Sequence, residues 1–376
     1  MDQRKEFVLK AMATNNFRAL CREYGISPKT GYKWKERFLH HGLEGLQEQS
    51  RRPRSSPNQL PESVVCELIR LKNQHPTWGP EKILAVYSRG EPEREVSLSS
   101  VNRVLNRAGL VEKRKKRKAK KAGRIHSGRK AAKPNDVWTV DFKGWWRDPE
   151  GKKCEPLTIR DEFSRYVICV DRIENGKRET VQKRFERVFE RHGLPRAIRS
   201  DNGPPFASAR GLLGLSGLSA WWLALGIDLE RGRPGCPQDN GGHERMHLDM
   251  ERELVGFESS QAAFDIWRQI FNEERPHQAL DNQVPAEIYQ NSDIPFTGTP
   301  KDLTYEKMES RRVARHGGIR YQNFGMYISQ ALIGWSVGVK PDLGAPKAKV
   351  YFANLCLGYI ETKNGNFVKT ETQRNR

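Results

Sequence analysis

Three acidic side chains sit where an acid is either costly or conspicuous. Asp141 lies inside the alternating apolar stretch NDVWTVDFKGWW, Asp201 follows the strand-like RAIRS and opens the turn SDNGPPF, and Glu244 opens a helical stretch that also carries Arg245, His247 and Arg252. An acid within so apolar a strand costs free energy unless it is paired or bound to metal. Read singly, Asp141 could be a salt-bridged core acid and Glu244 a helix-surface charge. Carboxylates repel phosphate, so in a chain of net charge +20 an acidic cluster directed at a polyanion makes chemical sense only with divalent cations between them. Mg²⁺ prefers oxygen ligands and binds through a few carboxylates plus substrate phosphate oxygens. Two such ions, about 3.5–4 Å apart, would activate an attacking oxygen and stabilise a leaving one in an in-line displacement.

The balance of 66 Lys+Arg against 46 Asp+Glu over 376 residues points to a polyanionic partner and away from a neutral metabolite. Apolar runs such as 218–227 are far too short to span a bilayer, and the opening MDQRKEFVLK lacks the charged-then-apolar order of a secretory signal. The expectation is a cytoplasmic, nucleoid-associated bacterial protein with no membrane partner. Six scattered cysteines form no CxxC pair, so neither a disulfide framework nor a structural zinc site is expected.

The elements that would deliver DNA to the acids come first in the chain. Residues 1–49 read as a helix-turn-helix domain: Phe7, Val8, Ala11 and Met12 share a face, Gly25 supplies the turn, and Ser27-Pro28 is an N-cap followed by proline at the first helical position. The recognition helix would present Lys29, Thr30 and Lys33 to DNA. After a Pro/Ser/Arg-rich linker, 50–60, a second helix-turn-helix domain is expected over 61–111. Its last helix, capped by Ser97 or Ser99 and stopped by Gly109, offers Ser99, Asn102 and Arg103. Residues 112–133 carry twelve Lys/Arg and one Glu; Lys113, Arg114, Lys115, Lys116 and Arg117 read as part of a basic arm on phosphates.

From residue 134 the pattern changes to α/β. Trp138, Val140 and Phe142 share one face of a strand and Val137, Thr139 and Asp141 the other; 157–160 and 166–172 read as a hairpin about a turn at 161–164. A helix with Val181, Phe185, Val188 and Phe189 inward is stopped at Gly193, and a strand leads into Asp201. That strand would lie parallel to the first and set Asp141 beside Asp201. Near a helix N-terminus the ionised form of Glu244 is favoured. His243 and His247 could ligate metal but read better as solvent- or DNA-facing; Asp161 and Asp239 read as turn and cap residues, and Arg275 and His277 of RPHQAL as helix-end packing. The last segment, 293–376, is β-rich with an Asn364-Gly365 turn, and a small all-β barrel is expected there.

VDF around Asp141, SDNGPPF, PGCPQDNGGHERMH and NEERPHQAL, in that order, resemble insertion-sequence transposases whose catalytic core belongs to the retroviral integrase superfamily. The resemblance covers residues 134 to about 290, and helix-turn-helix modules upstream are also typical of such transposases. It implies an RNase H-like core, a mixed sheet with flanking helices, over 134–292. It also implies a DDE triad in which Asp141, Asp201 and Glu244 are both catalytic and metal-ligating. Two Mg²⁺ ions, with Mn²⁺ able to substitute, would serve hydrolysis at an element end and then attack of the freed 3′-hydroxyl on target DNA. Implied partners are the double-stranded element ends, target DNA and further copies of the chain; Arg245 and His247 would grip the strand being cut. Pro205 departs from the usual acidic or small residue after SDNGP. A decayed transposase or repressor that only binds DNA is the alternative reading.

Overall fold

The computed structural model describes residues 2–48, 59–111, 128–144, 146–147, 151, 153–173, 175–233, 237–254 and 260–370. Residues 2–48 form one unit of three helices, α1 (Asp2–Ala13), α2 (Phe17–Glu23) and α3 (Pro28–His41), closed by the 3₁₀ turn Gly42–Leu46. Local signals set the ends: the Asn16 side chain accepts from the Ala19 N–H at 3.1 Å, and Ser27 Oγ accepts from the Thr30 N–H at 3.1 Å with Pro28 at the first helical position. Phe7, Val8, Ala11, Leu20, Cys21 and Leu46 make the core. Met12, expected on that face, is 49% exposed, because the α1 stripe that α3 covers is narrower than the apolar spacing suggests.

The second unit begins with α4 (Glu62–Gln74), α5 (Pro80–Gly90) and α6 (Leu98–Arg107), packed through Val64, Leu68, Leu71, Ile83, Tyr87, Val101 and Leu105. Of the two serines that could cap α6, Ser97 does so, accepting from the Ser100 N–H at 3.2 Å. The α4–α5 turn is closed by Lys72, whose ammonium donates to the carbonyls of Pro76 and Trp78 at 2.6 and 2.8 Å.

The core follows: β1 (Val137–Phe142), the short β2 (Trp146–Arg147) and β3 (Lys153–Cys154), β4 (Pro156–Asp161), β5 (Val167–Arg172), α7 (Arg178–His192), β6 (Ala197–Ser200), α8 (Gly217–Ala224), β7 (Asp228–Arg231), α9 (Gly241–Leu254) and α10 (Gln261–Gln269). Its sheet runs β5-β4-β1-β6-β7, antiparallel through β5, β4 and β1 and parallel through β1, β6 and β7. The parallel pair is reached through α7, as a crossover requires. One face of β1, Trp138 and Val140, is buried with Phe185, Phe189, Trp221 and Trp222 of α7 and α8; the other carries Thr139 toward α9. A strand buried on both faces explains why its first four residues are all inside.

After the turn α11 (Pro285–Ile288), the chain forms β8 (Glu309–Arg312), β9 (Gly318–Tyr321), β10 (Phe324–Tyr327), β11 (Ser336–Pro341), β12 (Lys347–Phe352), β13 (Leu355–Glu361) and β14 (Phe367–Lys369). These make two open sheets, β14-β13-β12-β11-β8 and β10-β9, and not the expected closed barrel. The physical reason lies in their packing: Val337, Val339, Val350 and Phe352 belong to the same buried cluster as Trp138, Phe189 and Trp221, so core side chains share the work that closure would otherwise do.

A tight contact in the first unit tests this description. A Cβ on Gly31 would come to 2.7 Å from Cys21 Sγ and 2.9 Å from the Phe7 ring. Gly31→Ala should therefore lower the stability of this unit by about 1–3 kcal/mol, followed by chemical denaturation; an unshifted midpoint would show that α3 does not press on α1 and α2 at this glycine.

Candidate active site

Asp141 ends β1, and β1 runs parallel to β6 with Val137, Trp138 and Thr139 opposite Ala197, Ile198 and Arg199. Carrying that register two residues on sets Asp141 level with Asp201, just past the end of β6. Glu244 lies in the first turn of α9, exposed, on a helix that packs across β1. Asp141 feels the charge of both other acids. Burial and the neighbouring Asp201, with Glu244 adding to them, push the Asp141 carboxyl up to about 7, against the Phe142 backbone N–H and the Lys143 ammonium, which favour the anion. Like charges stand apart: among the described residues no three His, Cys, Asp or Glu side chains converge closely enough to hold an ion.

Cations frame this group. Lys143 pairs with Glu251 at 3.2 Å. Arg231, at the end of β7, donates to the Gly214 carbonyl at 3.0 Å while its Nη1 is buried with no hydrogen-bond partner among the described residues. Burial pulls the Arg231 guanidinium down, and Asp201 opposes that shift. Backbone also comes close: a Cβ on Gly203 would sit 2.8 Å from Asp201 Oδ2, so the glycine in SDNG leaves room for that carboxylate.

Behind the acids, His243 and His247 are 0% and 8% exposed. The expectation that His247 faces DNA, and the solvent- or DNA-facing reading of His243, are therefore corrected. His243 Nδ1 meets Thr139 Oγ1 at 2.8 Å and its Nε2 meets Thr158 Oγ1 at 2.7 Å; His247 Nε2 meets the same Thr158 Oγ1 at 2.7 Å. Burial holds both imidazoles neutral, His247 falling to about 3. Their period along α9 turns them to β1 and β4, a direction that residue type alone did not reveal. Asp239, read as a cap, is 5% exposed and accepts from the Arg233 backbone N–H at 2.9 Å and from its guanidinium at 2.7 Å.

Asp161 is the buried turn residue, accepting from Ser164 and from the Asn135 N–H. Arg275 is buried in ion pairs with Asp249, at 2.7 Å, and Glu253, and His277 packs on Phe271. Among the residues expected to meet DNA, Lys29 and Lys33 are exposed on α3 beside the half-buried Thr30; Ser99, Arg103 and the half-buried Asn102 lie on α6. Arg245 is exposed, 3.5 Å from Asp249. Lys113, Arg114, Lys115, Lys116 and Arg117 lie outside the described residues.

Residues 131–237 and 225–285 match two integrase core domain families; the first match holds Asp141 and Asp201 and the second Glu244. The chain thus carries an integrase-type core. Residues 3–54 match a helix-turn-helix domain and 30–105 a homeodomain-like domain. Over 245 residues the chain is 27% identical to the insertion element IS407 uncharacterized 31.7 kDa protein of Burkholderia multivorans, covering 62% of this chain and 83% of that one. It is 28% identical over 258 residues to the insertion element IS476 uncharacterized 39.2 kDa protein of Xanthomonas euvesicatoria, covering 66% and 71%. The HTLV-2 integrase catalytic core domain in complex with magnesium is similar at 17% identity and a TM-score of 0.35, over 43% of this chain and all of that one.

Sequence reading missed Lys143, Arg231 and Thr158. Thr158 was reachable: pairing the first strand with the following hairpin puts it directly opposite Asp141.

The raised Asp141 carboxyl has a thermodynamic consequence. The folded state binds this proton more tightly than the unfolded chain, so the associated stability is fully present below the ordinary value of 3.8 and is lost as pH rises toward about 7. In chelator-treated protein, Asp141→Asn should be more stable than wild type by about 1–3 kcal/mol at pH 8, and the difference should shrink as pH falls toward 4. Denaturation curves at the two pH values measure it; a pH-independent difference would mean that the acids are not coupled.

Proposed function

We propose that the chain is a metal-dependent polynucleotidyl transferase that cuts the ends of its own element and joins the freed 3′-hydroxyls to target DNA. The observation that carries this reading is the placement of Asp141 and Asp201 at two adjacent parallel strand ends with Glu244 at a helix start, near enough for both to act on the Asp141 carboxyl. In a protein so rich in cations, such a concentration of negative charge around a half-buried carboxyl suits a divalent cation. The donor set fits Mg²⁺ in kind: all three groups offer oxygen, and the nearest imidazoles are turned away and bound to threonine hydroxyls. Asp141, Asp201 and Glu244 would hold the metal. Bound there, two Mg²⁺ ions supply activation of the attacking oxygen and stabilisation of the leaving one.

The chain's own residues do the rest. Binding a cation requires the Asp141 proton to leave, which the like-charge neighbours resist until the cation replaces it. Lys143 and Arg231 lie beside the acids, where a phosphate would otherwise meet net negative charge. The helix-turn-helix modules, through Lys29, Thr30 and Lys33 on α3 and Ser99, Asn102 and Arg103 on α6, would bind the terminal repeats, with the segment around Lys113 to Arg117 adding sequence-independent attraction to phosphates. Joining two element ends calls for more than one copy of the chain. No covalent protein–DNA intermediate is needed, because water and then the 3′-hydroxyl are the nucleophiles.

Purified protein with Mg²⁺ or Mn²⁺ should nick DNA that carries the element ends and join it to a second duplex. Asp201→Asn and Glu244→Gln should each reduce both steps by a factor of about 10³ or more while retaining end binding in a mobility-shift assay. Absence of both steps in wild type, with Asp201→Asn behaving identically, would reduce the chain to a DNA-binding protein.

A further inference from the structure

Thr158 holds one hydroxyl proton and has three partners. Its Oγ1 donates to the Asp141 carbonyl at 2.9 Å and lies 2.7 Å from Nε2 of both His243 and His247. Since the single hydrogen goes to the carbonyl, Oγ1 must accept from both rings, which makes each imidazole the Nε2–H tautomer. His243 Nδ1 is then an acceptor, and Thr139 gives its one hydrogen to it at 2.8 Å in preference to the Arg160 carbonyl at 3.3 Å. Thr139, Thr158 and His243 are all 0% exposed, where a polar group left without its bond costs about 1–3 kcal/mol.

The network joins two of the three acids. Thr158 is the cross-strand partner of Asp141. His243 immediately precedes Glu244 in the first turn of α9, and His247 lies three residues further along. The apolar contacts of α9 do not do this work: Met246 and Met250 pack with Val167, Val170, Phe264 and Trp267, on the β5 and α10 side. Methionine packing is adaptable and sets direction weakly. Hydrogen bonds to a fixed strand hydroxyl set both the height and the rotation of the helix.

We propose that Thr158 is a positioning residue, whose hydroxyl, held by His243 and His247, fixes the turn that carries Glu244 against the strand end that carries Asp141. The inference deepens the metal-site reading above and rests on it. Ligands held by an outer layer of hydrogen bonds bind metal more tightly than ligands free to wander.

Mn²⁺ binding to the full chain, followed by paramagnetic resonance, tests it with wild type, Thr158→Val, Thr158→Ser and Asp201→Asn. Thr158→Val keeps the shape and removes the hydroxyl; it should weaken Mn²⁺ binding by about 10–100-fold. Thr158→Ser should restore binding to within a few-fold, and end binding in a mobility-shift assay should be the same for all four. A folded Thr158→Val with wild-type Mn²⁺ affinity overturns the proposal. If Thr158→Val does not fold, His247→Phe decides: weaker Mn²⁺ binding supports the positioning role and unchanged binding overturns it. Wild type that binds no more Mn²⁺ than Asp201→Asn would sink the metal reading itself, an outcome distinct from failure of the positioning role alone.

Discussion

Bringing three carboxylates to one end of a sheet works against electrostatics, and much of the core can be understood as the apparatus that overcomes this. Asp141 bears the largest share, being half-buried as well as facing Asp201 and Glu244. A hydrophobic core cannot aim a carboxylate; it can only fix the strands that carry it. Here the parallel pairing of β1 and β6 fixes two of the acids relative to each other, and the crossover through α7 that permits this pairing is held by Phe185 and Phe189 against Trp138, Trp221 and Trp222. The aromatic layer is therefore tied to the acids through the strands it clamps.

Glu244 needs separate treatment because it arrives on a helix. The first turn of α9 approaches β4 so closely that a Cβ on Gly242 would come within 2.5 Å of the buried Arg160 guanidinium, which explains a glycine immediately before His243. At its other end α9 presents Asp249, at 2.7 Å, and Glu253 to Arg275, and Glu253 also accepts from the Trp267 indole at 2.8 Å and from Thr77 Oγ1 at 2.7 Å. Thr77 belongs to the turn between α4 and α5, and Arg89 of α5 reaches the Asn282 carbonyl at 2.9 Å. The helix that holds Glu244 is thus bonded to the sheet at one end, and at the other to the turn between α4 and α5.

The sequence made the strands of the core and all three acids legible, because alternation, turn residues and an acid in an apolar run are local signals. Ser27, Pro28 and Gly193 marked helix ends for the same reason. The histidines were misjudged because an imidazole beside an exposed acid is compatible with solvent, metal or interior; only the rotation of α9, set by residues on β1 and β4, decides. The ion pair of Asp239 with Arg233 was hidden because it spans a turn whose path spacing does not give. Barrel closure was equally hidden. Strand count and turn residues are alike for a closed barrel and for an open sheet whose buried residues join a neighbouring core.

Polar residues at these junctions bear on why the acids keep a defined spacing. A helix docked only through Met246 and Met250 could slide or rotate with little loss, since flexible thioethers refill the gaps they leave. Adding His243 and His247 makes such a slip costly, because each displaced ring leaves a donor unsatisfied in a site with almost no water access. Glu244 and Asp141 also repel each other across this junction. Directional bonds to Thr158 oppose a slip where apolar contacts would yield, so the neutral network behind the acids and the charge in front of them form one mechanical unit.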